Sequence, residues 1–297
     1  YFKNMIKENI VSLVDGFTVE LNPKVRHKLK SIPLDKKNNV YITYLPDATE
    51  NDILETVDFV SKQELTPITH LPARTMRDLD HVSDFLKELR NRTDSKKILV
   101  IGGGGNQNGS VSSSLEILES GLLKDNEFEE IGIAGHPEGS PDIDQNTVNE
   151  FLDKKYELSK NKNLSLELVT QFFFNAEPFI KWCKFLDNSN IKLPVRVGFP
   201  GPASFKTLLN FGIMSGVGNS LSFLKKNSSK VTDLLTKTSN DEMFIELANF
   251  SKEQSSFKNF HCFPFGGFEK TCHWLNALQN GDFTMENDKI VLHNKIF

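Results

Sequence analysis

Two stretches decide the fold: IGIAGHPEGSP at residues 131–141 and LELVTQFFFN at residues 166–175. Each is a short apolar run that ends abruptly in polar and turn residues, which is typical of a buried strand in a parallel sheet. The polar residues near the ends of these runs are His136, Glu138 and Ser140 in the first and Thr170 and Gln171 in the second. We therefore expect two parallel strands whose carboxyl ends carry functional side chains.

The composition is that of an ordinary globular protein, with 38% hydrophobic and 25% charged residues among 297. The net charge of −4 gives no electrostatic reason to expect a nucleic-acid or anionic-membrane partner. No apolar run approaches the ~20 residues of a membrane span, and the N-terminus lacks a signal-peptide core. We expect a cytoplasmic protein, and its three scattered cysteines, Cys183, Cys262 and Cys272, to be reduced thiols.

Strand-like and helix-like segments alternate along the whole chain. The predicted strands cover residues 16–21, 40–45, 67–71, 97–101, 131–134, 166–173, 195–199 and 259–263. The predicted helices between and after them cover residues 50–62, 75–92, 112–123, 146–160, 177–186, 204–214 and 270–279. Eight parallel strands with helical crossovers predict an α/β fold, a single (β/α)8 TIM barrel over residues 1–297. We also expect an N-terminal leader and a helical insert, residues 219–252, before the eighth strand.

The rival fold is an open doubly wound sheet, which needs a glycine-rich dinucleotide turn after its first strand. The sequence GFTVELNPK at residues 16–24 contains no such turn. The glycine-rich sequence IGGGGNQNGS at residues 101–110 follows the fourth strand and does not match G-x-G-x-x-G. The barrel is therefore the better prediction.

In a barrel of this type the functional residues gather where the strands end. These ends carry few charges and many amides, hydroxyls and glycines, which suits a large flat ligand better than a metal. His70, His136 and His261 form no local H-x-x-H or H-E-x-x-H pair, so we expect no metal site. No G-x-S-x-G motif is present, and Ser204 is better interpreted as a helix N-cap than as a nucleophile.

Taken together, the strand-end motifs resemble the methylenetetrahydrofolate reductase family over residues 14–278. The resemblance is carried by VELNP at 19–23, THLPARTM at 69–76, IGGGG at 101–105, AGHPEGSP at 134–141, TQFFFN at 170–175, GFPGPASFK at 198–206 and HCFPFGG at 261–267. Members of this family are flavin-dependent (β/α)8 barrels that interconvert methylene- and methyl-tetrahydrofolate. The resemblance implies FAD as cofactor, a folate as substrate and NADH or NADPH as candidate electron partner.

The resemblance also assigns roles to the residues that handle the substrate. Glu20 matches the family's catalytic acid, Gln171 matches the glutamine that hydrogen-bonds the pterin, and Phe211 lies where an aromatic ring stacks on substrate or nicotinamide. Each residue has a plainer interpretation. Glu20 could face outward on its strand, Gln171 could be a buried amide bonded to a neighbouring strand, and Phe211 could be core.

A second set of residues matches positions that hold the flavin. Thr43 and His70 match strand-end contacts, and His136 corresponds to a family aromatic in the same loop, close to Ala134. Lys155 aligns with a lysine near the cofactor diphosphate, where a point charge would be useful. A solvated lysine on a helix face is the alternative.

The sequence departs from the family after the fourth strand. Family members commonly carry Arg-Gly-Asp there, whereas this chain has Gly103, Gly104 and Gly105. Loss of the aspartate charge beside the ring should favour the anionic reduced flavin and raise its potential. This predicts that oxidation of methyltetrahydrofolate is open to the protein, and it weakens the expectation of ordinary flavin affinity.

Two other classes of function stay open. The first is a barrel without flavin that binds tetrahydrofolate or transfers its methyl group, and the second is a barrel with a structural or partner-binding role. Because the chain ends soon after the predicted helix at 270–279, we expect no regulatory domain. The sequence leaves homo-oligomerisation open.

Overall fold

The computed structural model describes residues 2–141, 143–215, 217, 222, 241–254 and 256–294. Within them, eight parallel strands close into a barrel in which each strand pairs with the next and β8 pairs with β1. The strands are β1 Thr18–Leu21, β2 Val40–Ile42, β3 Pro67–Pro72, β4 Lys97–Ile101, β5 Glu130–Gly135, β6 Ser165–Thr170, β7 Val195–Pro200 and β8 Phe257–Phe263. The predicted α/β barrel is confirmed.

Helices flank the barrel in the predicted alternation. They are α1 Phe2–Val14, α2 Glu50–Lys62, α3 Leu79–Arg90, α4 Ser114–Ser120, α5 Leu122–Asp125, α6 Gln145–Lys162, α7 Ala176–Asn188, α8 Phe205–Met214, α9 Asp241–Phe250 and α10 Phe268–Asn280. An antiparallel hairpin of β9 Phe283–Glu286 and β10 Lys289–Leu292 follows, which the sequence analysis did not predict. In the part of the chain described here, no helix combines the length and apolarity that crossing a bilayer requires.

Side-chain caps explain where several helices begin. Thr49 and Asp52 form a reciprocal capping box at α2, and the Asp78 and Ser113 side chains cap α3 and α4. Ser204 Oγ accepts from the Thr207 backbone N–H at 3.2 Å, so its predicted N-cap role at α8 is confirmed. Such caps satisfy backbone N–H groups that have no partner inside the helix.

Several predicted boundaries are wrong, for local reasons. The predicted helix 112–123 is broken into α4 and α5 at Gly121, whose φ of 83° is left-handed. The predicted strands 40–45 and 166–173 end early, at Ile42 and Thr170, because the backbone no longer pairs with the neighbouring strands beyond these residues. The predicted helix 75–92 begins at Leu79, after a short 3₁₀ turn.

The two additions to the minimal barrel are only partly described. The N-terminal leader is the helix α1, which packs against α9 and α10. Of the predicted insert, α9 lies where a helix was expected, while residues 219–240 other than Ser222 lie outside the described residues.

Inward-facing side chains fill the barrel below its C-terminal end. The lowest layer is charged: Arg196 Nε lies 2.7 Å from Glu167 Oε1, and Lys258 Nζ lies 2.6 Å from Glu167 Oε2. An apolar layer of Tyr41, Ile68, Leu99 and Val169 lies above it. The open end, formed by the loops after the strands, is called the mouth below. Since the barrel interior is filled beneath the mouth, we expect a ligand of the barrel to bind at this end.

Candidate functional site

Glu20 lies at the mouth between two histidines. Its Oε1 is 3.4 Å from His261 Nε2 and 3.5 Å from His70 Nε2. Alternation along β1 turns Glu20 toward the barrel interior, as the two histidines are turned on β8 and β3. The side chain of Glu20 is 16% exposed, so it is neither the outward-facing glutamate of the plainer interpretation nor fully sealed from a ligand.

His70 is held neutral by its surroundings. Burial lowers its pKa to about 4, with Glu20 opposing the shift and His261 adding to it. Its Nε2 is buried and makes no hydrogen bond within the described residues. The Tyr41 ring packs edge-on against His261 at 4.5 Å and His70 at 6.2 Å between centroids. Packing therefore holds both imidazoles in place.

Gln171 is anchored at the mouth by its backbone. Its N–H donates to the Gly135 carbonyl at 3.0 Å. Next to it, a Cβ at Gly198 would approach the Gln171 carbonyl oxygen to 2.6 Å, so glycine is required for β7 to come this close. The side-chain Oε1 of Gln171 is buried and has no hydrogen-bond partner within the described residues. A buried acceptor of this kind costs about 1–3 kcal/mol unless a ligand supplies a donor.

Aromatic side chains line one side of the mouth. Phe172 contacts Phe263 and Phe265 edge-on, with ring centroids 5.4 and 4.7 Å apart. Phe211, on α8, stacks on Phe265 at 4.0 Å, and Phe263 reaches the His261 ring at 5.0 Å. One face of the Phe211 ring is thus already covered. These rings form an apolar wall beside Glu20, His70 and His261. Such a wall suits a flat ligand.

A second cluster lies between the loop after β5 and α6. Burial lowers the pKa of Lys155 to about 8, and burial followed by the nearby Lys155 charge lowers the pKa of His136 to about 4. No ion pair of Lys155 is found within the described residues, whereas its neighbour Lys154 is exposed and pairs with Glu150 at 2.6 Å. An anion gains the most electrostatic binding free energy beside an ammonium group that is desolvated and has no counter-charge.

The glycine loop after β4 is joined to the turn after β3. The Arg74 N–H donates to the Gly102 carbonyl at 2.9 Å. Gly103 has a φ of 87°, and a Cβ there would lie 2.9 Å from Pro72 Cβ, so an arginine at this position would need a backbone shift. A Cβ at Gly104 or Gly105 meets nothing within 4 Å. The loop leaves open space at Gly105, the position that corresponds to the aspartate of the family motif, but not at Gly103, which corresponds to its arginine.

The remaining predicted positions also lie at the mouth. Thr43 follows β2, is buried, and points its hydroxyl at the Leu21 carbonyl at 3.5 Å. Ala134 lies near the end of β5 and pairs in register with Val169 of β6. His261, which was not assigned a role from the sequence, contacts Thr18 Oγ1 through Nδ1 at 2.8 Å and Glu20 Oε1 through Nε2 at 3.4 Å. Alternation along β1 places Thr18 and Glu20 on one face.

Two further observations bear on what the mouth can hold. Within the described residues, no group of three or more His, Cys, Asp or Glu side chains has metal-site geometry. A cavity of 720 Å³ lies outside the barrel between α6 and α7, floored by Trp182 and Phe185. It shares no lining residue with the predicted site, although Pro137 and Asn175, in the loops after β5 and β6, also line it.

Comparison with known proteins gives the class of fold and no more. No protein-family model matches the chain. An uncharacterized protein from Clostridium thermocellum that binds two copies of 5-methyl-5,6,7,8-tetrahydrofolic acid is similar with a TM-score of 0.55 and 14% identity, over 93% of this chain and 97% of that one. N-acetylneuraminate lyase from Fusobacterium nucleatum is similar with a TM-score of 0.40 and 12% identity, over 80% of this chain and 81% of that one. The first likeness supports the barrel, and the second is too weak for any argument.

Proposed function

We propose that this chain binds a reduced folate at the mouth and, with FAD, interconverts 5,10-methylenetetrahydrofolate and 5-methyltetrahydrofolate by hydride transfer. The proposal rests chiefly on Gln171 Oε1, a buried acceptor that has no partner among the described residues and lies at the same mouth as the Glu20 carboxyl group. A pterin edge carries N–H donors that would satisfy this oxygen. The folate bound by the clostridial barrel supports the same class of substrate.

Glu20 is the proposed acid. Methylenetetrahydrofolate must be protonated at a ring nitrogen before its bridge opens to an iminium that accepts hydride. A carboxyl group at a strand end, with an aromatic wall to exclude water, can deliver that proton. In the reverse direction the same group receives the proton.

The residues at the mouth fit FAD. Lys155, desolvated and near His136, would hold the diphosphate, and Thr43, His70 and Ala134 would line the ring. The buried His70 Nε2, which makes no hydrogen bond to any described residue, and the open space at Gly104 and Gly105 agree with such a ligand. When bound, FAD supplies the hydride carrier, with NADH or NADPH as the proposed electron partner. The uncharged glycine loop favours a higher flavin potential and hence the oxidative direction.

A second candidate function is supported by the same loop. A barrel that binds tetrahydrofolate without flavin, or transfers its methyl group, would not need the charged residues that Gly103 to Gly105 replace. The clostridial neighbour binds two copies of 5-methyl-5,6,7,8-tetrahydrofolic acid, which supports a folate as the ligand of the mouth.

Anaerobic mixing of the purified protein with 5-methyltetrahydrofolate separates the two candidates. Yellow protein whose flavin absorbance bleaches supports the oxidoreductase. Colourless protein that binds the folate, and does not take up added FAD, supports the flavin-free barrel. Protein that binds neither ligand contradicts both.

A further inference from the structure

Two arginines in the turn between β3 and α3 have no part in the proposed function. Arg74 is half-buried and Arg77 is exposed. Neither side chain makes an ion pair or a hydrogen bond within the described residues. The other four arginines of the chain each form an ion pair: Arg26, Arg90, Arg92 and Arg196. The two guanidinium groups without a described partner therefore lie three residues apart at the mouth.

The backbone of this turn is held in place by the loop after β4. Besides the bond from the Arg74 N–H to that loop, the Asn108 N–H donates to the Arg74 carbonyl at 2.7 Å. Ser110 donates to the Arg77 carbonyl from its N–H at 2.6 Å and from its hydroxyl at 3.1 Å. A Cβ at Gly109 would lie 2.0 Å from the Arg77 carbonyl oxygen, so this close approach requires glycine. A ligand would not have to order the backbone that carries the two arginines.

The carboxylates closest in sequence have other roles. Asp78 caps α3 by accepting from the His81 N–H at 2.8 Å, and Glu50 pairs with the His81 ring. Asp80, in the first turn of α3, is exposed. Arginine presents a fixed fork of N–H donors that matches the oxygens of a carboxylate or a phosphate. In this turn no described residue uses the donors of either guanidinium group.

We propose that Arg74 and Arg77 form an oxyanion-binding site for a group of the ligand that carries two adjacent negative charges. Two such groups fit this chemistry, the diphosphate of a nucleotide cofactor and the two carboxylates of the glutamate of a folate. The inference rests on the proposed function, since both groups belong to its ligands. In the barrel β4 lies between β3 and β5, so the glycine loop separates this site from Lys155. The arginines therefore add a second anion site to the mouth.

Titration calorimetry with three probes tests the site and identifies the anion. The probes are ADP, 5-methyltetrahydrofolate and the corresponding tetrahydropteroate, which lacks the glutamate. In the double variant Arg74→Gln/Arg77→Gln we expect the affinity for ADP or for the folate to fall by about 100-fold, about tenfold for each arginine. A loss for ADP assigns the site to the diphosphate. A loss for the folate that is absent with the pteroate assigns it to the carboxylates.

Two further variants separate recognition from structure. Arg26→Gln, which removes one partner of the ion pair with Glu55, is the control and should change neither affinity. Arg74→Lys keeps the charge without the fork of donors, so it should bind less tightly than wild type. Thermal unfolding of the double variant should match wild type, because the two side chains have no described partner to lose.

Unchanged affinities for both ADP and the folate in the double variant overturn the oxyanion site and leave the proposed function standing. Wild-type protein that binds neither probe also overturns it. ADP binding that depends on the two arginines, in protein that does not bind folate, would mean that the proposed function has failed and not the oxyanion site.

Discussion

At the residue scale, Glu20 makes the sharpest prediction. Glu20→Gln keeps the size and polarity of the side chain but removes the transferable proton. We expect folate and flavin still to bind, and turnover of methylenetetrahydrofolate to fall by about 10²- to 10⁴-fold, the usual contribution of a general acid. Stopped-flow measurement of flavin reoxidation checks this, and normal turnover in the variant would show that the acid lies elsewhere.

The buried side-chain oxygen of Gln171 has no partner in the part of the chain that the structure describes, so removing it should have opposite effects on stability and on folate binding. Gln171→Leu should stabilise the free protein, because the orphaned acceptor disappears, and should weaken folate binding by about 10- to 100-fold, since a ligand hydrogen bond is lost. Thermal unfolding and titration calorimetry measure the two effects. Gln145→Leu, an exposed site on α6, is the matched control and should change neither.

The glycine loop predicts the effect of restoring a charge. A Cβ at Gly105 would point into open space, and the φ of 80° there is one that aspartate and asparagine tolerate better than most residues. In flavin-loaded protein, Gly105→Asp should lower the flavin potential by roughly 30 mV or more, equivalent to about 1.4 kcal/mol for two electrons. Gly105→Asn has the same shape without the charge. Equal potentials in the two variants would contradict the argument from charge.

At the scale of the element, α6 places two adjacent lysines in different surroundings. Lys154 is exposed and paired with Glu150, whereas Lys155 is desolvated and unpaired in the described residues. Helical periodicity explains the difference, since neighbouring positions point about 100° apart. The sequence LDKK predicted a lysine near the diphosphate but could not show which face is buried.

Lys155→Met should therefore weaken binding of an anion such as ADP or FAD by about 10- to 100-fold, while Lys154→Met should not. The free protein should become more stable at neutral pH, because burying the ammonium is unfavourable. The wild-type lysine has a pKa lowered to about 8 from 10.5, so the unfolded chain binds more protons between these values and stability rises with pH there. Denaturant unfolding from pH 7 to 10.5 should show that rise in wild type and lose it in Lys155→Met.

At the scale of the whole molecule, the charged layer ties β6, β7 and β8 together. Burial alone would raise the pKa of Glu167, but its ion pairs with Arg196 and Lys258 outweigh burial and hold the pKa below its usual value. A depressed carboxyl pKa contributes stability above the unfolded value of 4.5, and this contribution is lost as the pH falls through the folded value. The barrel should therefore lose stability on acidification.

Glu167→Gln should cost about 3–5 kcal/mol at neutral pH, because it leaves the buried Arg196 guanidinium without its ion-pair partner, while Lys258 keeps Glu130 at 3.7 Å. It should also flatten the acid dependence of the unfolding free energy. Glu129→Gln removes one partner of an exposed pair with Lys96, and should leave the unfolding free energy nearly unchanged because solvent screens the pair. Similar losses in the two variants would show that the buried layer is not what couples the strands.

The sequence by itself determined the fold class. Buried parallel strands appear as short apolar runs and their crossovers as amphipathic segments, so eight repeats predicted a barrel and placed Glu20, His70, His136 and Gln171 near strand ends. It failed at element boundaries such as Thr170 and Gly121, because local turn geometry ends an element before its hydrophobic pattern does.

Only the tertiary structure decided which of these residues meet. Closure of the barrel brings β8 against β1, so that Glu20 contacts His261, 241 residues away in the chain, and Thr18 bonds the same ring. The buried oxygen of Gln171 and the clash that keeps Gly103 a glycine also depend on neighbouring strands. The local hydrophobic pattern indicates whether a segment is a strand or a helix. Which side chains meet inside the barrel depends instead on how all eight strands close.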